Sequence, residues 1–385
     1  MDGAGKKTAA AIHQEVTREV NQLLGRVFAQ RRKEARTDLE AVESALRTAL
    51  HHAGAAGLNQ LLQFEAPAAD QRQWPCRCGH HARYQEVRSK PVLTMVGPVR
   101  LSRPYYLCSQ CHIGQFPVDA ELDIENTEFS PGVRRMHALV GQQAPSDRGR
   151  EQMKVLAGLE VTTKSVEGIA EAIGSDIVQR EQAEIDKALQ LDLPAIADEP
   201  IPVLYVHMDG TGVPVVKKET LGRQGKSDGQ PAHTREVKLG CVFTQTTWDE
   251  EGFAIRDPDS TTYTGAIETA VEFGKRIYRE ALQRGWSLRS IATANPQLAE
   301  KIRTEADYFE RNAERMRYPS FRRQHLFVGS GVIEAGCKTV VGSRLKQSGM
   351  FWTVRGANAI LALRCSHLNG RFEDYWEQRR EAQAA

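Results

Sequence analysis

The chain has 385 residues, enough for two or three domains that each carry a core. Its 51 basic residues nearly balance 49 acidic ones, so a net charge of +2 offers no global argument for a nucleic-acid partner. No apolar run approaches the roughly eighteen residues that span a bilayer. The N-terminus Met1-Asp2-Gly3-Ala4-Gly5-Lys6-Lys7 lacks the apolar core of a signal peptide, which predicts a cytoplasmic protein with no membrane partner. In that reducing compartment seven cysteines point to metal ligands or free thiols rather than disulfides.

Residues 1–70 read as a helical region. Ile12, Val16, Val20, Leu23, Val27 and Phe28 follow helical spacing, and Leu39, Val42, Leu46 and Leu50 repeat it on a second helix. Such a pair is expected to pack on a neighbour or a second subunit.

Residues 71–120 change character. The run from Arg88 to Tyr106 is rich in Val, Leu and Tyr and breaks at Gly97-Pro98, a hairpin signal. Cys76-Arg77-Cys78-Gly79 and Cys108-Ser109-Gln110-Cys111-His112 flank it. Two cysteine pairs at the ends of a hairpin supply four thiolates to a tetrahedral zinc, Cys76, Cys78, Cys108 and Cys111. A structural Zn2+ there would contribute folding energy to a segment with little core of its own. The tight C-x-C pair leaves His80, His81 or His112 as alternatives to one cysteine. The plain alternative is four reduced thiols. Cys241, Cys337 and Cys365 are scattered and read as core thiols.

Residues 121–197 return to helix. Gln152 to Gly158, a turn through Leu159-Glu160-Val161, and a helix from near Thr163 or Ser165 form a candidate helix-turn-helix. Its buried face would be Val166, Ile169, Ala170 and Ile173. Any two consecutive short helices look alike in sequence. Asp192, Pro194 and Asp198-Glu199-Pro200 mark a linker.

Residues 198–385 open with three extended runs, Val203 to Met208, Val213 to Val216 and Val237 to Thr244. Gly-containing turns and a polar loop from Gly222 to Pro231 separate them, predicting an antiparallel meander. A helix follows from about Thr264 to Arg284, with Ile267, Val271, Ile277 and Ala281 inward. Beyond it no extended apolar run occurs between Trp286 and Arg317.

Two acids stand out. Asp209 closes the run Tyr205-Val206-His207-Met208-Asp209, before Gly210-Thr211. Glu334 opens an apolar helix after Gly329-Ser330-Gly331. Taken singly, Asp209 is a turn residue and Glu334 a helix N-terminal acid favoured by the dipole. Together they have the order of the first and last carboxylates of a two-metal nuclease core. From Arg311 to Arg355 the basic residues are Arg311, Arg315, Arg317, Arg322, Arg323, Lys338, Arg344, Lys346 and Arg355, against Glu314 and Glu334 alone. This local excess suits a phosphate backbone, with Arg322, Arg323, Lys338, Arg344 and Lys346 as the candidate DNA contacts. A solvated, ion-paired helix face is the alternative.

From about Trp74 onward the chain resembles transposases of the ISKra-four insertion-sequence family. The cysteine-flanked hairpin, Met208-Asp209-Gly210-Thr211 and Arg235-Glu236-Val237-Lys238-Leu239-Gly240 carry the likeness. So do Gly329 to Lys338 and the block Gly342-Ser343-Arg344-Leu345-Lys346-Gln347-Ser348-Gly349-Met350-Phe351-Trp352. The resemblance implies a mixed α/β chain with an RNase H-like core and an Asp-Asp-Glu set, in which Asp209 is first and Glu334 last. It implies Mg2+ or Mn2+ at those acids. The implied task is cutting element ends and joining them to target DNA, by a homo-oligomer acting at the bacterial nucleoid. The chain departs from the family where the middle Asp belongs, in a Gly-Asp-Gly-like turn after a strand. Here Gly285-Trp286 runs straight into Leu288-Arg289-Ser290-Ile291-Ala292-Thr293, as if a parallel strand had been deleted. Asp257 and Asp259 precede the helix, and Asp307 lies on another element. The expectation is a transposase impaired in catalysis. Its rivals are a non-enzymatic DNA-binding inhibitor of intact transposase and a remnant that does not fold.

Overall fold

The structure, a computed structural model, describes residues 39–189, 203–225, 230–283, 323–324 and 326–384, with part of 10–25. The chain divides into two compact units. The first comprises Met1–His137, Arg150–Val161 and Gln378–Ala385, and the second Ala138–Gly149 and Thr162–Glu377. Helices α3 (Pro131–Gln143) and α4 (Ser146–Ala157) each have residues assigned to both units. Ile12, Val27, Phe28, the linker residues Asp192 to Pro200, Arg322, Asp307 and the stretch from Trp286 to Thr293 lie outside the described residues.

The first unit is built on a long two-stranded ribbon. Strands β2 (His81–Thr94) and β3 (Gly97–Cys108) pair antiparallel, with β1 (Gln73–Pro75) and β4 (Gly114–Gln115) on the outer edges. Thr94 opposes Gly97, so the turn is Met95-Val96 and Pro98 is already in the strand. The expected break at Gly97-Pro98 is therefore displaced. The reason is Gly97, whose φ of +111° a side chain resists. Helix α1 (Leu39–Leu61) covers β3. Its buried residues are Ala49, Ala53, Ala55 and Gly57, while Leu39, Leu46 and Leu50 are exposed, the reverse of the expected face. Small residues win because the ribbon comes close: a Cβ on Gly54 would lie 3.1 Å from Val96. Ala55, Val92, Val99, Leu101 and Ile124 form the core. Short helix α2 (Pro117–Glu121) brings in Asp119, whose buried carboxylate accepts from Arg103 at 2.7 Å and Lys90 at 2.9 Å. That pairing compensates a charge otherwise costly to bury.

The second unit centres on a three-stranded antiparallel sheet in the order β5 (Val203–Pro214), β6 (Thr234–Gln245) and β9 (Thr262–Ala266). A small hairpin, β7 (Thr247–Trp248) with β8 (Ala254–Ile255), links β6 to β9. The meander is as expected, but its strands differ. The first two expected runs are one strand, and the third strand occupies the start of the expected helix. Gly210 and Gly212 read as a turn because glycine usually marks one. Here they keep the ladder intact: a Cβ at Gly210 would meet Glu236 at 2.4 Å. Asp209 is thus mid-strand, opposite Leu239. Helix α6 (Ala270–Gln283) starts only after Thr269, whose hydroxyl accepts from Glu272 N–H at 3.2 Å.

Both faces of β6 are covered, so it is buried from Leu239 to Gln245. Helix α6 packs on one face, where a Cβ at Gly240 would meet Ile277 at 2.0 Å. The other face meets α7, a helical run that is α-helical over Gly331–Gly336, π-helical over Cys337–Gly342 and α-helical again over Ser343–Leu345. Helix α8 (Thr163–Leu189) buries Val166 beside Gly141 and Gly149, and Ala170, Ile173 and Ile177 in the core it shares with α9 (Val354–Leu368), ahead of α10 (Phe372–Ala384). The two backbones nearly touch, since a Cβ on Gly174 would come within 2.0 Å of the Ala359 carbonyl oxygen. Thr162 and Ser165 cap α8 reciprocally. A scaffold helix of 27 residues stands where the sequence predicts the second, short helix of a DNA-reading pair.

Candidate metal centre and acid pair

The cysteine lobe lies at the open end of the ribbon. The chain turns tightly at Gly79 (φ +83°), where the Cys76 carbonyl accepts from Gly79 N–H at 2.9 Å and Cys76 N–H reaches the His80 carbonyl at 2.8 Å. A second turn through Ser109 and Gln110 brings His112 N–H to the Cys108 carbonyl. The two turns face each other and gather Cys76, Cys78, Cys108 and Cys111, all four sulfurs within 4.8 Å. Cys76 and Cys111 lie 3.5 Å apart, Cys78 and Cys108 3.6 Å. Four sulfurs about 2.3 Å from one tetrahedral ion would sit about 3.8 Å apart, so the set fits an ion such as zinc. His80 stays outside it, with Nδ1 3.6 Å from Cys78 Sγ. Backbone N–H groups of Cys111 and Gln110 aim at the Cys108 sulfur and lower its pKa to about 6. An N–H from Ile113 acts likewise on Cys111, but burial and the crowded thiols outweigh it and raise that group to about 12. A divalent ion relieves this crowding, because a coordinated thiol is deprotonated outright.

The acids converge in the second unit. Asp209 projects from the β5 face that carries Thr211 and opposes Leu239. Helix α7 lies on that face at Gly336, where a Cβ would meet Tyr263 at 2.6 Å and Leu239 at 3.2 Å. Glu334 sits one turn before Cys337, and the Cys337 thiol donates to Asp209 Oδ2 at 3.5 Å. Two exposed acids 125 positions apart in sequence therefore both neighbour Cys337. Gly210 N–H donates to Asp209 Oδ1 at 2.7 Å, Ser330 Oγ donates to Glu334, and Lys346 donates to the Thr211 hydroxyl. Burial, then Asp209, push the Cys337 thiol up to about 11, so it stays protonated at neutral pH. Cys337 is half-buried beside the acids, not in the core as its sequence context suggests. Its offset of three from Glu334 on one helix was the available signal.

The π-helical stretch frees carbonyls that an α-helix would use internally. Arg364 on α9 takes them, donating through Nε to Val340 O at 2.9 Å and through Nη2 to Thr339 O at 2.5 Å. It also reaches the Gln142 carbonyl at 2.5 Å. Arg364 thus clamps the helix that carries Glu334, a role that sequence spacing did not reveal.

No protein-family model matches this chain, and no curated protein matches it.

Other expected site residues fare differently. Lys338 is exposed on α7, Lys346 is exposed just past its end, and Arg323 is exposed outside it. Arg344 is 2 % exposed. Its Nε donates to the Gly141 carbonyl at 2.9 Å, and its guanidinium lies 4.9 Å from the Trp352 ring centroid. Burial removes it from any strand laid along the surface, which corrects the sequence expectation. Asp257 is no substitute for the middle acid. It accepts from Thr244 Oγ1 at 2.6 Å and from Thr246 N–H at 2.9 Å. Thr244 is five residues along β6 from Leu239, roughly 17 Å at the rise of a strand. Asp259 occupies a turn with φ +54°. Among the described residues only the four cysteines gather three or more ligands closely enough for one ion. No described helix is long and apolar enough to cross a membrane.

Proposed function

We propose that this chain is a transposase-type protein that binds DNA ends, holds a divalent ion between Asp209 and Glu334, and is impaired in strand cleavage. The observation that carries this reading is the convergence of the two exposed acids beside Cys337, which contacts Asp209. The antiparallel meander followed by α6 agrees with the start of an RNase H-like core, up to the point where a parallel strand would follow. Two exposed carboxylates fit Mg2+ or Mn2+, which commonly take one or two carboxylates and complete their shell with water and phosphate oxygens. Bound there, the ion would supply Lewis-acid activation of a phosphodiester. The chain's own residues supply the rest. Ser330 and the Gly210 amide orient the two carboxylates, and Lys346 and Lys338 place positive charge beside them for the DNA backbone. The cytoplasm suits such a task, and its reducing conditions keep the thiols free.

Impairment follows from the acid count among the described residues. A two-metal clamp needs more carboxylate than this pair provides, and Asp257 is held too far away to help. The test is nicking of supercoiled DNA carrying the element ends, with Mn2+, by zinc-loaded protein beside Glu334→Ala. The expected result is end-specific binding with nicking at or near background. Vigorous nicking lost in Glu334→Ala would overturn the impairment and require another acid at the middle position. Absence of DNA binding altogether would overturn the whole reading.

A further inference from the structure

A pocket of about 300 Å³ opens in the second unit, between α8, the end of α7 and the loop that follows it. Its walls include Ser146, Glu167, Glu171, Arg344, Met350 and Trp352. The volume is at the small end of ligand sites. Three features make it chemically specific. The Arg344 guanidinium spends Nε on Gly141 and Nη1 on the Met350 sulfur at 3.5 Å. Among the described residues its Nη2 has no hydrogen-bond partner, although Arg344 is only 2 % exposed. Burial and then Arg364 lower its pKa to about 10, so it remains a cation and a donor at neutral pH. Glu167 and Glu171 are four residues apart on α8 and so share a face. Burial and the Glu167 charge raise the Glu171 pKa, and among the described residues its one ion pair is Arg355 at a loose 3.8 Å. Trp352 lines the pocket with its ring centroid 4.9 Å from the Arg344 guanidinium, and the neighbouring Phe351 is exposed.

A ligand that satisfies all three is planar, offers adjacent N–H donors to a carboxylate and presents an acceptor to the guanidinium. We propose that this pocket binds a guanine base, stacked on Trp352, with its N1–H and N2–H groups on Glu171 and its O6 on Arg344. Recognition of an unstacked base by its pairing edge between aromatic walls is a general solution for proteins that handle nucleic acid. Helix α7 carries Glu334 near its start and Arg344 ten residues on, roughly 15 Å away at the helical rise. A base in the pocket would therefore belong to a strand passing the acids, or to a free nucleotide. The site itself does not depend on the nuclease reading, because free nucleotide tests it alone.

The experiment titrates zinc-loaded full-length protein with guanosine 5′-monophosphate and cytidine 5′-monophosphate, following tryptophan fluorescence. A parallel arm uses a duplex with one unpaired guanine and its fully paired counterpart. Saturable quenching by the guanine nucleotide, at least about tenfold tighter than by the cytosine one, is expected. It should weaken at least about tenfold in Glu171→Gln and vanish as a signal in Trp352→Phe. Glu171→Gln removes only a loose ion pair among the described residues, so its thermal melt should match the parent and keep the result interpretable. Preference for the unpaired-guanine duplex without nucleotide binding would assign the base to DNA, and the reverse would assign a free ligand; either supports the site. Equal binding of both nucleotides, or no effect of Glu171→Gln in either arm, overturns it. DNA-end binding is read separately, so a failure here leaves that reading standing.

Discussion

Cys108→Ser, or treatment with a strong chelator, is expected to abolish metal binding and unfold the cysteine lobe. The lobe has almost no core without the ion: its buried cluster is Cys76, Ala82, Tyr106 and Cys108, with Tyr84 and Cys111 at its edge. Two of its four buried members are themselves ligands. Structural zinc sites contribute on the order of 10–16 kcal/mol of apparent binding free energy at neutral pH, and in such small modules that energy is folding energy. The parent protein should carry one zinc per chain, and the variant none. Cobalt substitution should give the spectrum of a tetrahedral thiolate site. Amide exchange along β1, β4 and the neighbouring end of β2 should become fast in the variant. The far end of the ribbon has its own apolar contacts in Val92, Val99 and Leu101 and should remain protected. Unchanged protection of the cysteine turns without metal would sink this account of the lobe.

The second large effect is expected at Glu280. This carboxylate is fully buried on α6, accepting from Arg371 at 2.8 and 3.0 Å and from Arg279 at 3.1 Å. Burial alone would raise its pKa, but Arg371 and then Arg279 outweigh it and hold the group below the ordinary carboxylate range. Glu280→Gln removes the charge and takes from Arg371 its bidentate partner, while Arg279 keeps Glu184 at 2.9 Å. Breaking such a pair costs about 3–5 kcal/mol. The sign of the pH dependence follows. A carboxylate depressed in the folded state contributes stability that is present above its unfolded pKa of about 4.3. That contribution is lost as pH falls through the folded pKa. Denaturant melts should therefore show a wild-type advantage that is full near neutrality and shrinks in acid. A Gln variant as stable as the parent at neutral pH would contradict the pairing.

These two places also show how far the sequence could be read. The cysteine spacing was enough to place four ligands at the ends of one hairpin, because local turns and a ribbon bring them together. The two acids were also legible, each from its immediate context. What joins them was not, because it depends on tertiary contacts. Gly336 permits the approach of α7 to Leu239 and Tyr263, and Cys337 bridges to Asp209. Arg344 shows the opposite failure: a basic residue in a basic run reads as a phosphate contact, whereas packing against Gly141 and Trp352 turns it inward. Glycine usually ends a strand, so the sequence puts Asp209 at a strand end, yet here glycine makes room for Glu236. The apolar stripe on α1 misled in the same way, since close approach to the ribbon selects alanine and glycine over leucine. Helix α6 was begun too early because Thr262, Tyr263 and Thr264 pair with β6 before the helix starts.

The central claim is that Asp209 and Glu334 act on one ion. It is tested most directly by Mn2+ binding to zinc-loaded protein, followed by electron paramagnetic resonance, in the parent and in Asp209→Asn and Glu334→Gln. Both side chains are exposed, so neither substitution should disturb the fold. The account predicts one Mn2+ site that each single substitution weakens by at least about tenfold, or about 1.4 kcal/mol. In the double variant it predicts little further loss, because one site is removed only once. Binding that survives both substitutions, or losses that simply add as for two independent sites, would contradict it.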